Sequence, residues 1–449
     1  MKQTGIVGRI FSKASKILRE KGPTGLVSSF FKRLRAEYLL KLYIPSHGRF
    51  QLWKLERLMN SDRKKLAART NPGPLLIDLV EAGYAVRSLA TWNGTNGKKA
   101  LVSADVGDDT ISIIPVSGTS FSPRKTISFP PQSAPIGVCA LNISTDKNAA
   151  DTLFVDTFNL DFREEQTAES NLYMIRNLGA LESNSVYNTL CEKVFGRQGH
   201  FGLRCANCYV SPDGTCYVAA ADRSEDIIHI LEFKQEQDPL KDAVHHRVDI
   251  SYPDRAAEPI FVAIVPGENG ATPKFCSSLR ASTEMVIVSH TGEAFQVTER
   301  IDVRGLSRSS IAVGSFREKG RNDIAITMWG EDPKSVETKA YGTSAVLFSD
   351  SKGGFGEPVF FDTGVHSTDI VAGDYDGDGL DELAVLNYGA GLNSLSRSHP
   401  GNIQFFKYRD DSFTCIGESG VFTPRIGMSA DLDGDGRDEL VASLFHEKR

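Results

Sequence analysis

The chain has 449 residues, 40% of them hydrophobic and 24% charged, a composition typical of a soluble globular protein. No window approaches the about 18 to 20 apolar residues of a membrane-spanning helix, which excludes a helical membrane protein. The net charge of −6 hides an asymmetry, because residues 1–70 hold 17 Lys and Arg against 4 Asp and Glu while the remainder is acidic.

The first 70 residues predict a basic, amphipathic helical extension. Apolar residues recur every three or four positions over 6–18 and again over 26–42, and most basic residues fall on other faces. Residues 1–44 hold 10 basic and 2 acidic residues, so the segment either lies on an anionic membrane surface or packs on a protein. It lacks the uninterrupted apolar core of a secretory signal. We therefore expect a cytoplasmic or peripheral membrane protein, with secretion by a non-classical route left open.

The texture of the chain changes after a linker at residues 71–74. From residue 75 onward, short β-rich runs alternate with clusters of Gly, Asp, Asn and Ser, such as DTLFVD, CYVAAA, DIAITMW and ELAVLNY. Many short strands separated by turns indicate an all-β sandwich, barrel or propeller.

Internal repeats favour the propeller. VAGDYDGDGLDELAVLNYG (371–389) and MSADLDGDGRDELVASLF (428–445) superpose without a gap, and AVGSFREKGRNDIAITMWG (312–330) is a weaker copy. Equivalent positions are 57 and 59 residues apart, slightly more than a four-stranded blade needs. The spacing predicts about seven blades over 75–449, clearest over 305–449. A strand from 75–83 would complete the last blade and remove an exposed edge.

The two strong copies share the pattern D-x-D-G-D-G-x-x-E, which suits a calcium ion. Calcium takes six to eight oxygen ligands at about 2.3–2.6 Å, and carboxylates on alternate residues of a tight loop converge. The predicted ligands of the first loop are Asp374, Asp376, Asp378, the carbonyl of Leu380, and Glu382. Those of the second loop are Asp431, Asp433, Asp435, the carbonyl of Arg437, and Glu439. An EF-hand is excluded, because its twelfth loop position must be Glu and here is Val385 or Ala442.

These loops resemble the FG-GAP/VCBS repeats of integrin-type β-propellers. The resemblance implies calcium ions that stabilise the blades more than they regulate them. Each Glu at the ninth position follows an extra acid, Asp381 or Asp438, so either member of the pair could close its site. The weaker copy has Ser315, Arg317 and Lys319 where the aspartates should be, which predicts a blade without metal.

A second cluster of metal-ligand types is a weaker candidate. His200, Cys205, Cys208 and Cys216 could bind zinc, but a single C-x-x-C in a strand-like stretch favours cysteines that fill the core. No nucleophile elbow, phosphate loop or H-E-x-x-H motif is present.

Two functional hypotheses follow from the sequence. The first is a non-enzymatic, calcium-binding β-propeller that binds a protein or glycan on one face, because a propeller gathers loops from every blade there. The alternative is a polysaccharide-active, lyase-like enzyme on the same architecture. No motif supports specific nucleic-acid binding.

Overall fold

The computed structural model describes residues 82–83 and 85–444, except 119, 147, 159–168, 177, 179–183, 187–190, 199–201, 281, 305–309, 329–340, 351–352, 390–400 and 420–423. The predicted basic helical extension, residues 1–70, lies outside this part of the chain and stays a prediction. So does most of the predicted closing segment 75–83. No helix of the described residues is long and apolar enough to cross a bilayer.

The described residues are almost entirely β-structure. In chain order the strands are β1 (Val86–Asn93), β2 (Lys99–Asp105), β3 (Thr110–Ser117), β4 (Ser120–Phe121), β5 (Lys125–Ser128), β6 (Pro135–Leu141), β7 (Thr152–Thr157), β8 (Glu169–Ile175), β9 (Asn184–Val186), β10 (Cys191–Gln198), β11 (Leu203–Val210), β12 (Thr215–Asp222), β13 (Ile227–Lys234), β14 (Val244–Asp249), β15 (Pro259–Val265), β16 (Lys274–Leu279), β17 (Glu284–His290), β18 (Phe295–Asp302), β19 (Ile311–Gly314), β20 (Asp323–Met328), β21 (Tyr341–Leu347), β22 (Val359–Val365), β23 (Ser367–Gly373), β24 (Glu382–Asn387), β25 (Asn402–Arg409), β26 (Ser412–Ser419), β27 (Pro424–Ala430) and β28 (Glu439–Leu444). The helical elements are one short α-helix, α1 (Pro239–Asp242), and 3₁₀ turns at Thr95–Gly97 and Glu268–Gly270.

These strands form six blades and one smaller sheet. Blade one has six strands in the order β1-β2-β3-β5-β9, with β4 beside β3; blade two runs β10-β8-β7-β6. Blades three to six are the antiparallel sheets β11–β14, β15–β18, β19–β22 and β23–β26. A two-stranded sheet, β27–β28, follows and is called the closing sheet below. The innermost strands β1, β6, β11, β15, β19, β23 and β27 contact one another in that order, and β27 contacts β1 again. The fold is therefore an all-β propeller, as predicted.

The predicted number of about seven blades is corrected to six. Division of the chain by a period near 58 residues counts a last unit that begins at Pro424, but its described residues end at Leu444 and form only two strands. Of the predicted closing segment only Ala82 and Gly83 are described, and Ala82 packs against a cluster that includes Leu101 and Leu432.

The position of each strand within a blade explains its sequence pattern. The second strands β7, β12, β20 and β24 are buried along their whole length, because each is covered on both faces by neighbouring sheets. Such strands read as continuous apolar runs. The outermost strands β14, β18 and β26 alternate or are mostly exposed, since one face meets solvent. Apolar clusters fill the space between adjacent sheets.

Candidate metal centre

The first acidic loop joins β23 to β24, and its first aspartate organises the backbone. Asp374 accepts hydrogen bonds from the amides of Gly377 and Gly379, both at 2.8 Å. The two glycines have φ of 79° and 83°, a left-handed conformation that a side chain would strain. These two hydrogen bonds hold the loop between Asp374 and Glu382 in a tight turn.

The second acidic loop joins β27 to β28 with the same geometry. Asp431 accepts hydrogen bonds from the amides of Gly434 at 2.6 Å and Gly436 at 3.2 Å, whose φ values are 83° and 87°. The equivalent loops thus lie between the two innermost strands of successive sheets.

Each loop brings three of its predicted ligands together. The sets that offer carboxylate oxygens within 4.8 Å of one another are Asp374, Asp376 and Glu382 in the first loop, and Asp431, Asp433 and Glu439 in the second. Asp378 and Asp435 instead each accept a hydrogen bond from the amide two residues later, at 3.0 Å and 2.9 Å. The carbonyl ligands predicted for Leu380 and Arg437 stay predictions.

The glutamate of each acidic pair faces its own loop. Glu382 accepts hydrogen bonds from the amides of Tyr375 at 2.9 Å and Asp376 at 3.3 Å. Glu439 accepts one from the amide of Leu432 at 2.8 Å. Of each acidic pair, the glutamate is therefore the member that lies with the other carboxylates of its loop.

The aspartate of each acidic pair faces the preceding sheet. Asp438 accepts a hydrogen bond from the amide of Asp374 at 3.1 Å, and its own amide donates to the Asp374 carbonyl at 3.0 Å. Asp381 forms the same reciprocal bonds with Ser315 of blade five, at 2.6 Å and 3.0 Å. We call this arrangement the seam pair. The seam pairs tie the first acidic loop to blade five through Asp381 and to the closing sheet through Asp374.

A third seam pair joins blades one and two. Asp151 accepts a hydrogen bond from the amide of Asn93 at 2.8 Å and donates its own amide to the Asn93 carbonyl at 2.8 Å. The sequence signal is the acid directly before an apolar strand, D-T-L-F-V-D, which lacks the preceding glycine-rich loop. Without that loop, the sequence pattern does not predict this pair.

Substitution of Gly373 is expected to open the seam between blade six and the closing sheet. A Cβ on Gly373 would lie 2.0 Å from Ser429 Oγ and 2.9 Å from Asp438 Oδ2. We expect Gly373→Ala to lower the free energy of unfolding by about 2 kcal/mol, as overpacking does, measured by urea denaturation. Gly356→Ala is the control, because the nearest atom to its Cβ would be 3.7 Å away. Equal effects of the two substitutions would contradict this account, and Ser429→Gly should partly rescue Gly373→Ala.

The ammonium of Lys407, a residue that was not predicted from the sequence to belong to the site, lies among the carboxylates of the first acidic loop. Lys407 Nζ lies 2.6 Å from Asp376 Oδ2, 2.8 Å from Asp378 Oδ2 and 2.6 Å from Glu382 Oε1. The lysine side chain is 7% exposed and Glu382 is fully buried. Burial alone would lower the pKa of Lys407, but the three carboxylates raise it well above its usual value. The sequence signal is a single charge within the apolar run IQFFKY.

The first loop has further positive neighbours. A Cβ on Gly379 would lie 2.0 Å from Lys319 Nζ of blade five, and a Cβ on Gly377 would lie 3.1 Å from Arg437 Cγ. The hydrogen bond from Lys407 lowers the pKa of Asp378, and the charge of Lys319 lowers it further. Positive charge from three sheets thus offsets the carboxylates of this loop.

The second loop has no such lysine among the residues that the structure describes around it. Lys99 of blade one donates to the backbone carbonyl of Asp431 at 2.8 Å, not to a carboxylate. Burial raises the pKa of Glu439, and the negative charges of Asp433, Asp435 and Asp431 raise it further. Among the described residues, no buried ammonium therefore offsets the carboxylate repulsion in this loop.

The weaker copy directs its basic residues elsewhere. Ser315 Oγ donates to the Arg321 carbonyl at 2.8 Å, and the Arg317 guanidinium lies 4.4 Å above the Phe348 ring. Lys319 reaches the first acidic loop, as described above. Arg317 therefore packs on an aromatic ring of blade five, and Lys319 brings positive charge to the first acidic loop of blade six.

The described candidate zinc ligands, Cys208 and Cys216, lie on the paired strands β11 and β12 and pack in one apolar cluster. Cys216 is buried, and Cys208 Sγ donates to the Ala140 carbonyl at 3.1 Å. His200 and the side chain of Cys205 lie outside the described residues. The described thiols behave as core residues.

Comparison with solved structures shows similarity in fold. A chain from Bacteroides fragilis, provisionally named a 6-phosphogluconolactonase, is 13% identical with a TM-score of 0.51, covering 81% of this chain and 89% of that one. A similarly named chain from Bacteroides uniformis is 14% identical with a TM-score of 0.50, covering 81% and 90%. The BBS1N chain, solved in complex with ARL6DN, is 13% identical with a TM-score of 0.50, covering 82% and 92%.

These likenesses support the propeller fold and nothing finer. No family model matches the chain, and no curated protein matches it either. The FG-GAP/VCBS resemblance is therefore not confirmed by a family match. What the comparisons show is a β-propeller.

Proposed function

We propose that this protein is a non-enzymatic β-propeller scaffold that binds calcium through its acidic loops and a protein partner through one face. The observation that carries the proposal is the equivalence of the two loops. Each gathers carboxylates of its first, third and ninth positions within 4.8 Å, at the same place in successive sheets. Oxygen-rich loops of this kind suit a hard divalent cation.

The seam pairs support a structural role for the ion. Asp374 contributes to the first acidic cluster and is also hydrogen bonded to Asp438 of the closing sheet. An ion that fixes the first loop would therefore also fix the contact between blade six and the closing sheet. Calcium bound to the native state alone stabilises it by about 2.7 kcal/mol at 100 times the dissociation constant.

The architecture supports a protein partner. The BBS1N chain of similar fold was solved with a bound protein, ARL6DN. Propellers gather loops from every blade on one surface, which suits recognition more than it specifies a ligand. The basic residues 1–44, outside the described part of the chain, are proposed to add contact with an anionic membrane surface. Capture of the same protein partner by the full chain in calcium, and its loss in chelator, is the expected result of a crosslinking pull-down.

Calcium is expected to raise the melting temperature of the full chain above that in chelator, and neutralisation of the second loop should remove most of the rise. The variant is Asp433→Asn with Asp435→Asn, because asparagine keeps an oxygen for the loop hydrogen bonds while two charges are lost. Differential scanning calorimetry with calcium, magnesium or chelator measures the shift.

The matched control is Asp254→Asn with Glu293→Gln, which removes the same charge from exposed turns. We expect this control to keep the calcium response of the wild type. The proposal of calcium binding would be overturned if calcium did not change the melting temperature of the wild type. It would also be overturned if calcium raised the melting temperature of the loop variant as much as that of the control.

A further inference from the structure

We infer that Lys407 is the resident cation of the first acidic loop, and that it makes the second loop the tighter calcium site. This rests on the proposed calcium binding and deepens it. The two loops have nearly the same sequence, so their expected difference depends on a residue outside the repeated motif.

The geometry places the Lys407 ammonium where a metal ion would contact the loop. Its nitrogen lies 2.6–2.8 Å from oxygens of three acidic residues, and two of them, Asp376 and Glu382, belong to the set that would hold an ion. Calcium–oxygen distances are about 2.3–2.6 Å, so the ammonium and the ion would compete for the same oxygens. Calcium can enter the first loop only if Lys407 leaves.

Departure of Lys407 carries a cost that the second loop does not have. The ammonium is almost fully buried on β25, next to Phe406, which pairs with Leu383 of β24. To make room for calcium, the Lys407 ammonium would have to break its three ion pairs and move out to solvent. At the second loop Lys99 contacts a backbone carbonyl, and calcium entry displaces no buried ammonium that belongs to the described residues.

Charge around the two loops acts in the same direction. The first loop has Lys319 beside Gly379 in addition to Lys407, and both repel an incoming cation. The second loop gathers carboxylate oxygens of Asp431, Asp433 and Glu439 within 4.8 Å of one another, and a divalent cation would relieve the repulsion among them. The position of the Lys407 ammonium among the ligand oxygens and the charge of the nearby Lys319 therefore both oppose calcium at the first loop.

The decisive experiment isolates the first loop. In the full chain with Asp433→Asn and Asp435→Asn, calcium titration by calorimetry reports the first loop alone. Adding Lys407→Met is expected to lower the calcium dissociation constant of this background at least about tenfold. Lys274→Met is the control: it removes the same charge from a lysine that donates to the Gly353 carbonyl in another blade. An affinity gain no larger than that of the control would overturn the inference.

The outcome is separable from that of the proposed function. A wild-type chain that binds no calcium would refute the proposed function and the ranking of the two loops, whereas calcium binding gained on Lys407→Met would still support Lys407 as the resident cation. Wild-type calcium binding with no gain from Lys407→Met would refute the inference alone.

A second measurement uses the wild-type chain and does not depend on the folding of a variant. Acetylation by an N-hydroxysuccinimide ester, followed by peptide mass spectrometry, should find Lys407 slow to react in chelator and slow when calcium has filled the second loop. Only higher calcium should increase its rate. Lys241, whose side chain is 79% exposed, is the fast reference. Equal rates for Lys407 and Lys241 in chelator would contradict a buried resident cation.

Discussion

Glu382→Ala is expected to lower the free energy of unfolding by about 3 kcal/mol in the presence of chelator, where no divalent ion contributes. The substitution removes the fully buried member of the set around Lys407 and leaves the amides of Tyr375 and Asp376 without their acceptor. Loss of one partner from a buried ion pair costs about 3 to 5 kcal/mol, and the lower end applies because Lys407 keeps two half-exposed carboxylates. Urea denaturation followed by circular dichroism measures the loss.

The second loop supplies a matched comparison within the same chain. Glu439→Ala removes the equivalent residue, which accepts one hydrogen bond, from Leu432, and has no described ammonium partner. We expect it to cost less than about 1 kcal/mol in chelator, since the lost hydrogen bond is offset by relief of carboxylate repulsion. Glu382→Gln, which keeps an acceptor oxygen but not the charge, should fall between the two. Similar losses for Glu382→Ala and Glu439→Ala would show that Lys407 does not set the loops apart.

The all-β fold and the position of the loops follow from local signals in the sequence. Short β-rich runs such as E-L-A-V-L-N in β24 predict strands, and D-x-D-G-D-G predicts a tight loop between strands. These patterns depend only on residues that are close in sequence, so they can be recognised without knowledge of the tertiary structure.

The contacts that decide the chemistry of the site are long-range and were not predicted. Lys407 lies 25 residues beyond Glu382 in the sequence and meets it because β25 pairs with β24. Asp438 bonds to Asp374 of the neighbouring blade six, whereas Glu439 bonds within its own loop. This difference depends on which sheet packs beside the pair. The blade count failed for a related reason: a repeat period measures sequence spacing, whereas a complete blade requires enough residues for four strands.

Stability is expected to fall as pH rises from about 4 to about 7, and Asp156 is expected to carry a large share of this dependence. Asp156 lies on β7 and accepts a hydrogen bond from the amide of Ala206 on β11 at 2.5 Å. Burial raises the pKa of Asp156 to about 7, against the usual value of 3.8, while amide hydrogen bonds and Arg204 oppose the rise. The folded chain therefore holds a proton that the unfolded chain releases over this range.

The sign follows from proton linkage. Where the folded state binds more protons than the unfolded state, the free energy of unfolding decreases with rising pH, by about 1.4 kcal/mol per proton for each pH unit. The stabilisation is complete below about pH 4 and is lost as pH passes through about 7, so Asp156 alone accounts for a decrease of about 4 kcal/mol.

Asp156→Asn tests this through the slope and not through absolute stability, because an amide also changes the buried hydrogen bonding. Urea denaturation at intervals from pH 4.5 to 8 should show the variant gaining on the wild type until about pH 7 and running parallel above it. Burial also raises the pKa of Asp105, to about 6, although hydrogen bonds from Ser112 and Ser103 oppose it. The difference curve for Asp105→Asn should therefore level off about one pH unit earlier. Difference curves that level off at the same pH would contradict the order of the two pKa values. An Asp156→Asn curve parallel to the wild type throughout would mean that this carboxyl is ionised in the folded chain despite its burial between blades two and three.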